Sequence, residues 1–210
     1  MEMIYTSLLI THVTSGGLAL AAGSTSAIFK KGSKGHSVAG KFFGIFMSIT
    51  GITAIALSMV KTNSFLFGIG LFTIYLISSG WIWIKKTPFQ KKTRIVKVIG
   101  LAGLASAAFM ITAGFLIERA GIILFIFAGV LIILASVDVF KKVKPIDAPR
   151  MHGGRMGGAF IAAVTAFLVT NVHSLPMLLI WIGPTVIGSP LIAIGIRKYY
   201  QGIGLKKKRT

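Results

Sequence analysis

GIILFIFAGVLIILASVDVF, residues 121–140, decides the fold: it is apolar from end to end except for one charged side chain, Asp138, close to its finish. At about 1.5 Å of rise per residue, a helix of this length spans about 30 Å, the thickness of the hydrocarbon core of a bilayer. Lipid offers no partner for main-chain N–H and C=O groups, so such a stretch crosses as a helix, which satisfies them internally. Working outward, comparable segments lie at approximately 4–29, 40–60, 65–84, 95–117, 156–171 and 175–196. The whole chain of 210 residues is 54% hydrophobic with four acids, and its mean hydropathy is +0.84. That leaves too little polar surface to cover a soluble globule. The expected fold is all-α: a polytopic integral membrane bundle of seven transmembrane helices forming one domain over 1–210, with a basic tail at 197–210.

Charge gives the orientation. All of the 23 Lys and Arg except Lys61 and Arg119 fall in or beside the links after the first, third and fifth segments, or in the tail. Lys and Arg are retained on the cytoplasmic side, so the expected topology is N-terminus out and C-terminus in, in a bacterial cytoplasmic (inner) membrane. The net charge of +19 is thereby spread over one membrane face, which fits juxtamembrane contact with anionic lipids and argues against nucleic acid as a partner. The chain begins MEMIYTSLLI, with an acid in place of a basic leader, so the first segment is expected to be kept rather than cleaved. There is no cysteine, which excludes disulfides, thiolate-bound zinc and cysteine-ligated iron–sulfur clusters.

The histidines are the residues that carry chemistry. Topology places His36 and His152 at the cytoplasmic interface, His12 roughly 12 Å below the outer end of the first segment, and His173 at the outer end of the sixth. If segments one, two and six are neighbours, these form an inner and an outer pair. Helical spacing aligns each with small residues: His12 with Gly16 and Gly23; His36 with Gly40, Met47, Gly51 and Ser58; His152 with Met156, Ala159, Ala163 and Thr170. Patterns of the G-x-x-x-G type occur at Gly40–Gly44, Gly153–Gly157 and Gly154–Gly158.

Two occupants suit such faces. One is a neighbouring helix, which packs closely on small residues and accepts an interhelical hydrogen bond from histidine worth about 0.6 kcal/mol. The other is a b-type haem, which needs an axial imidazole and a smooth wall beside it. Bis-histidine sites in four-helix membrane cytochromes place two histidines of one helix about fourteen residues apart, roughly 20 Å of rise. His152 and His173 are farther apart than that and sit at helix ends, which counts against the usual pair of haems and leaves a single outer haem on His12 open. Met47, Met110, Met151 and Met156 offer sulfur as an alternative ligand, although methionine in a membrane core usually packs.

HVTSGGLALAAG, KGSKGHSVAGKFF, MHGGRMGGAFIAAVTAFLVTN and LPMLLIWIGPTVIGSPLI together resemble a family of bacterial multi-pass membrane proteins known only as a domain of unknown function. The resemblance covers both ends of the chain. It implies that His12, Gly16, His36, Gly40, His152, Arg155, Met156, Thr165, Asn171, Pro176, Trp181 and Pro184 match the family pattern, with Ser37 departing from an expected basic residue. It brings a fold and no reaction. A more distant similarity to di-haem membrane cytochromes b rests on histidine-bearing helices alone.

Other chemistry is thinner. The last span has no lysine for a retinal Schiff base, and no H-x-x-x-H or H-E-x-x-H pattern suits a membrane zinc hydrolase. A looser metal site of His36, His152, Asp147 and Asp138 is conceivable on the cytoplasmic face. Asp138 alternatively pairs with Lys141 or Lys142 at i+3 or i+4, Glu118 and Arg119 form a solvated outer turn, and Asn171 bonds to His173 or to a main-chain carbonyl. Pro184 and Pro190 predict a kinked last helix, and Trp81, Trp83 and Trp181 packing or interfacial positions. No Ser/His/Asp group, phosphate loop or catalytic carboxylate pair is legible.

Two functional expectations follow. One is a redox protein binding b-type haem through His12, His36, His152 and His173, with Gly16, Gly40, Met156, Asn171 and Arg155 around it, passing electrons between a quinol or cytoplasmic donor and an outer acceptor. The other is a non-enzymatic carrier of a small molecule or lipid, or a scaffold, in which the histidines are interhelical hydrogen bonders or form a cytoplasmic-side metal site.

Overall fold

The computed structural model describes residues 2–117 and 121–207; the expected outer turn at Glu118 and Arg119 lies outside them. Among the described residues there is no strand, and seven helices are long and apolar enough to cross a membrane. They are α1 (Glu2–Ile28), α2 (Lys34–Val60), α3 (Ser64–Ile82), α4 (Phe89–Leu116), α5 (Gly121–Phe140), α6 (Ala148–Asn171) and α7 (Met177–Lys207), with a 3-10 turn at Pro145–Asp147 before α6.

The helices overrun the apolar segments at the end of the bundle that carries the basic links. α2, α4 and α6 begin several residues ahead of the expected spans, and α7 continues through much of the expected tail. Apolar composition marks where lipid begins, whereas a helix ends where its free N–H and C=O groups find other partners. Ser33 supplies one such end: its hydroxyl accepts a hydrogen bond from the His36 N–H at 3.2 Å, so His36 sits inside the first turn of α2. Asn63 starts α3 in the same way, accepting from the Leu66 N–H at 2.9 Å. Between α1 and α2 the chain reverses through Gly32, whose φ of +81° is a conformation that L side chains rarely adopt.

α3 is the hub. It packs against α2, α4, α5 and α6; α1 joins α2 and α6, which closes a ring of α1, α2, α3 and α6. The α4–α5 pair lies on the opposite flank of α3, and α7 lies along α6. The buried core follows this plan, with Leu76 and Ile77 of α3, Met110 of α4, and Leu124 and Leu131 of α5 almost wholly enclosed. Without a hydrophobic drive between helices in lipid, close van der Waals contact holds them, and small residues make it achievable. At Gly70 of α3 an added Cβ would stand 2.7 Å from the Ile55 side chain and 3.3 Å from the Gly51 carbonyl oxygen of α2.

The Gly153–Gly157 pattern of α6 holds α7. Gly157 receives Ile192, whose Cδ1 lies 2.5 Å from where a Cβ would be, and Gly153 receives Ile196 at 3.1 Å. In return Gly188 of α7 receives Ile161 of α6 at 2.6 Å. Apart from this seam α7 is largely exposed, and Pro184 and Pro190 lie inside it. Trp181 near its start packs edge-on against Phe65 and Phe127, the packing role expected of it.

Candidate functional site

Helix adjacency shows what each histidine meets. On α1, His12 Nδ1 lies 3.1 Å from both the Thr50 carbonyl oxygen and the Thr53 hydroxyl of α2. Ser15, one turn on, is 2.9 Å from the Thr50 hydroxyl, so α1 and α2 are clasped by a polar group of four side chains. At the basic end, His36 Nδ1 lies 3.0 Å from the Ser26 carbonyl oxygen and 3.0 Å from its hydroxyl, again joining α2 to α1. His152 Nδ1 lies 3.0 Å from the Gly80 carbonyl oxygen, joining α6 to α3. A carbonyl oxygen only accepts, so in each case Nδ1 carries the proton and Nε2 is left as an acceptor.

His36, in the first turn of α2, and His152, near the start of α6, occupy the same, basic end of the ring. His173 does not join His12: it is exposed in the link after α6, while His12 bonds to α2. Asn171 bonds neither to His173 nor across the bundle; its amide donates to the Phe167 carbonyl at 2.8 Å and to the Thr170 hydroxyl at 2.9 Å, finishing its own helix.

The small residues beside the histidines face neighbouring side chains. A Cβ added at Gly16 would stand 3.8 Å from Thr50, and one at Gly40 3.4 Å from the Ser26 hydroxyl. Gly23 is filled by Phe160 and Phe43, the two rings lying edge to face at 6.0 Å inside the ring of helices. Met156 lies against Gly80, its sulfur 3.1 Å from where a Cβ would be. In this arrangement the faces that would border a macrocycle are filled by helix–helix contacts, while the imidazole Nε2 atoms have the tautomer a metal ligand needs.

Arg155 is where sequence reasoning fell short. Its guanidinium donates to the Asp138 carboxylate at 3.0 Å and to the Leu134 carbonyl at 2.8 Å, with the pair's side chains 5% and 0% exposed. The other Asp138 oxygen accepts from the Tyr75 hydroxyl at 2.5 Å, and the guanidinium carbon stands 5.7 Å from the centre of the Tyr75 ring. Tyr75, Asp138 and Arg155 thus knit α3, α5 and α6 together. This replaces the expected pairing of Asp138 with Lys141 or Lys142. The reason is direction: Leu124, Ala128, Leu131, Ala135 and Asp138 lie along one buried face of α5, which points inward. The looser metal site dissolves with it, since Asp147 accepts from the Lys144 N–H at 3.1 Å within its own turn. Among the described residues no group of three or more His, Cys, Asp or Glu is arranged to hold a metal ion. Lys92 of α4 is also buried, donating to the Trp83 carbonyl at 3.0 Å.

One groove opens at the basic end. A cavity of about 540 Å³ separates the end of α1 from the end of α7, lined by Ala27, Ile28, Phe29, Lys30 and Lys31 on one side and by Gly195, Lys198, Tyr199, Gly202 and Ile203 on the other. A second, of about 350 Å³, lies between α2, α3 and α4 beside Trp81 and Lys85. No family model matches the chain, and neither a curated protein nor a solved structure is significantly similar to it.

Proposed function

We propose that this chain is a non-enzymatic protein of a bacterial cytoplasmic membrane, N-terminus out and C-terminus in, that carries a small amphiphile between a fixed body and a loosely docked last helix. The observation behind this reading is the contrast between the two parts. α1 is tied to α2 by the His12 and His36 hydrogen bonds, and α3, α5 and α6 are tied together by His152 and the Tyr75–Asp138–Arg155 group. α7 instead lies along α6 on interlocking glycines and isoleucines, carries two internal prolines, and parts from α1 at its basic end to leave the groove. The histidines act here as fasteners, each worth about 0.6 kcal/mol.

The natural chain has no cysteine, so a Gly157→Cys/Ile192→Cys pair tests this cleanly. Gly157 and Ile192 touch across the α6–α7 seam and lie outside the groove. In reconstituted vesicles, oxidation of this pair is expected to lower transfer of a fluorescent phospholipid to the protein-free rate, and reduction to restore it. Equal transfer in the locked and unlocked forms overturns the carrier.

The tautomer of His36 and His152 favours a second reading, a b-type haem protein exchanging electrons with a quinol or another redox partner. His36 and His152 would supply the axial nitrogens, with Ser26 and Gly80 holding the rings by their Nδ1 protons, and the haem would supply one-electron chemistry. Phe43 and Phe160, which fill the ring of helices beneath, place this reading second. Protein purified from haem-replete cells in mild detergent is expected to show a Soret band, and an alpha band on dithionite reduction, both lost in His36→Ala and His152→Ala. A colourless preparation overturns it.

A further inference from the structure

We infer that the groove between α1 and α7 is a discrete site for one anionic glycerophospholipid, its phosphodiester held by Lys30, Lys31, Lys198 and Tyr199 and its acyl chains lying along Ile28 and Phe29. This rests on the proposed carrier and names what it takes up. The groove lies where two helices leave the membrane at the end carrying most of the chain's basic residues. Among the described residues that line it, the charged ones, Lys30, Lys31 and Lys198, are all cationic. Lys30, in the link after α1, and Lys198, on α7, are exposed and lie on opposite sides of the groove. Lys31 is fixed against the end of α1: its ammonium donates to the Ser26 carbonyl at 3.1 Å and the Ala27 carbonyl at 3.0 Å, which leaves one N–H for a ligand.

The remaining lining is apolar. Ile28 is 85% and Phe29 45% exposed, and both precede Lys30, so they present hydrocarbon on the membrane side of the lysines. A cationic mouth above an apolar wall matches a charged headgroup with attached chains. It discriminates against a zwitterionic headgroup, whose own cation meets the lysines, and against a free anion, which leaves the wall unused. Gly195 keeps the α7 side low on the membrane side of Lys198, an added Cβ there standing 3.7 Å from the Lys31 Cε.

Native mass spectrometry of the full chain in mild detergent tests this with three probes: phosphatidylglycerol, phosphatidylcholine and inorganic phosphate. One phosphatidylglycerol is expected to bind at least about tenfold more tightly than phosphatidylcholine, since tenfold is the free energy of one modest charge contact. Lys30→Gln/Lys198→Gln is expected to remove that preference, while Lys91→Gln/Lys97→Gln, two exposed lysines on α4, leaves it intact. Circular dichroism checks that both variants fold. An equal loss in the α4 variant shows diffuse attraction to the basic face and overturns the site, as does equal binding of phosphatidylcholine or competition by phosphate alone. The α6–α7 lock separates the two claims: selective binding that survives locking while transfer does not change keeps the site and removes the carrier. Transfer that depends on the lock without headgroup preference keeps the carrier and removes the site.

Discussion

Asp138→Ala is the sharpest perturbation the structure offers. It leaves the Arg155 guanidinium inside the bundle with the Leu134 carbonyl at 2.8 Å and the Tyr75 ring face at 5.7 Å as its remaining partners. Removing one member of a buried pair strands the other charge, at a cost of about 3–5 kcal/mol. The double variant Asp138→Leu/Arg155→Met removes both charges and is expected to recover most of that loss, because two apolar groups of similar volume need no compensation. The interaction energy from the complete mutant cycle should therefore exceed about 2 kcal/mol, well beyond the 0.5 kcal/mol expected of independent sites. Reversible unfolding in mixed micelles, followed by helical circular dichroism and tryptophan fluorescence, gives each number. Lys141→Gln and Lys142→Gln serve as controls and should stay within about 0.5 kcal/mol of the natural chain, as surface changes do. If Asp138→Ala costs less than about 1 kcal/mol, or if either lysine variant costs as much, the buried pair is not what holds α5 to α6.

Three further outcomes follow from the packing. His12→Leu removes the α1–α2 clasp and should destabilise the bundle by about 0.6–1.7 kcal/mol in the same unfolding assay; a loss above about 3 kcal/mol would mean that His12 does more than fasten. Gly157→Leu drives a side chain into Ile192 and should cost about 1–3 kcal/mol, seen as faster proteolysis of α7 with α1–α6 intact; unchanged cleavage would show that the seam does not hold α7. Gly32→Val forces a β-branched residue into φ +81° beside Tyr199, 3.3 Å from the added Cβ, and should cost of order 1–3 kcal/mol, whereas Gly32→Asn should be milder; equal melting temperatures for the two refute the left-handed turn.

The spans were legible because each is a run of apolar residues that only a helix makes compatible with lipid, and the residues 121–140 reading holds to the residue. Helix starts were less so. The Ser33 cap and Pro88 precede the apolar runs of α2 and α4, and a serine or proline that begins a helix looks like one that belongs to a loop. The small-residue stripes were correctly seen as surfaces for close approach. Their occupants were not visible, since Ile192, Ile196, Phe160 and Thr50 are chosen by which helices are neighbours, and spacing within one helix carries no such information. Asp138 was a missed signal of a different kind. Its place on the stripe 124, 128, 131, 135 and 138 was available from the sequence, as was Arg155 on the stripe with His152 and Ala159, but the lysines three and four residues ahead offered a nearer partner.

The Tyr75–Asp138–Arg155 group also dictates an order of events during synthesis. Segments enter the membrane in chain order, so α5 arrives with its carboxyl group before α6 has delivered a cation. Tyr75 has by then been in place since α3, 63 residues earlier, and its hydroxyl is the first partner Asp138 finds. Arg155 follows 17 residues after the acid and closes the group. A ribosome halted between α5 and α6 would thus hold an unfinished bundle whose acid has its tyrosine partner but not yet its cation, and the last ring contact forms only when the sixth helix is released.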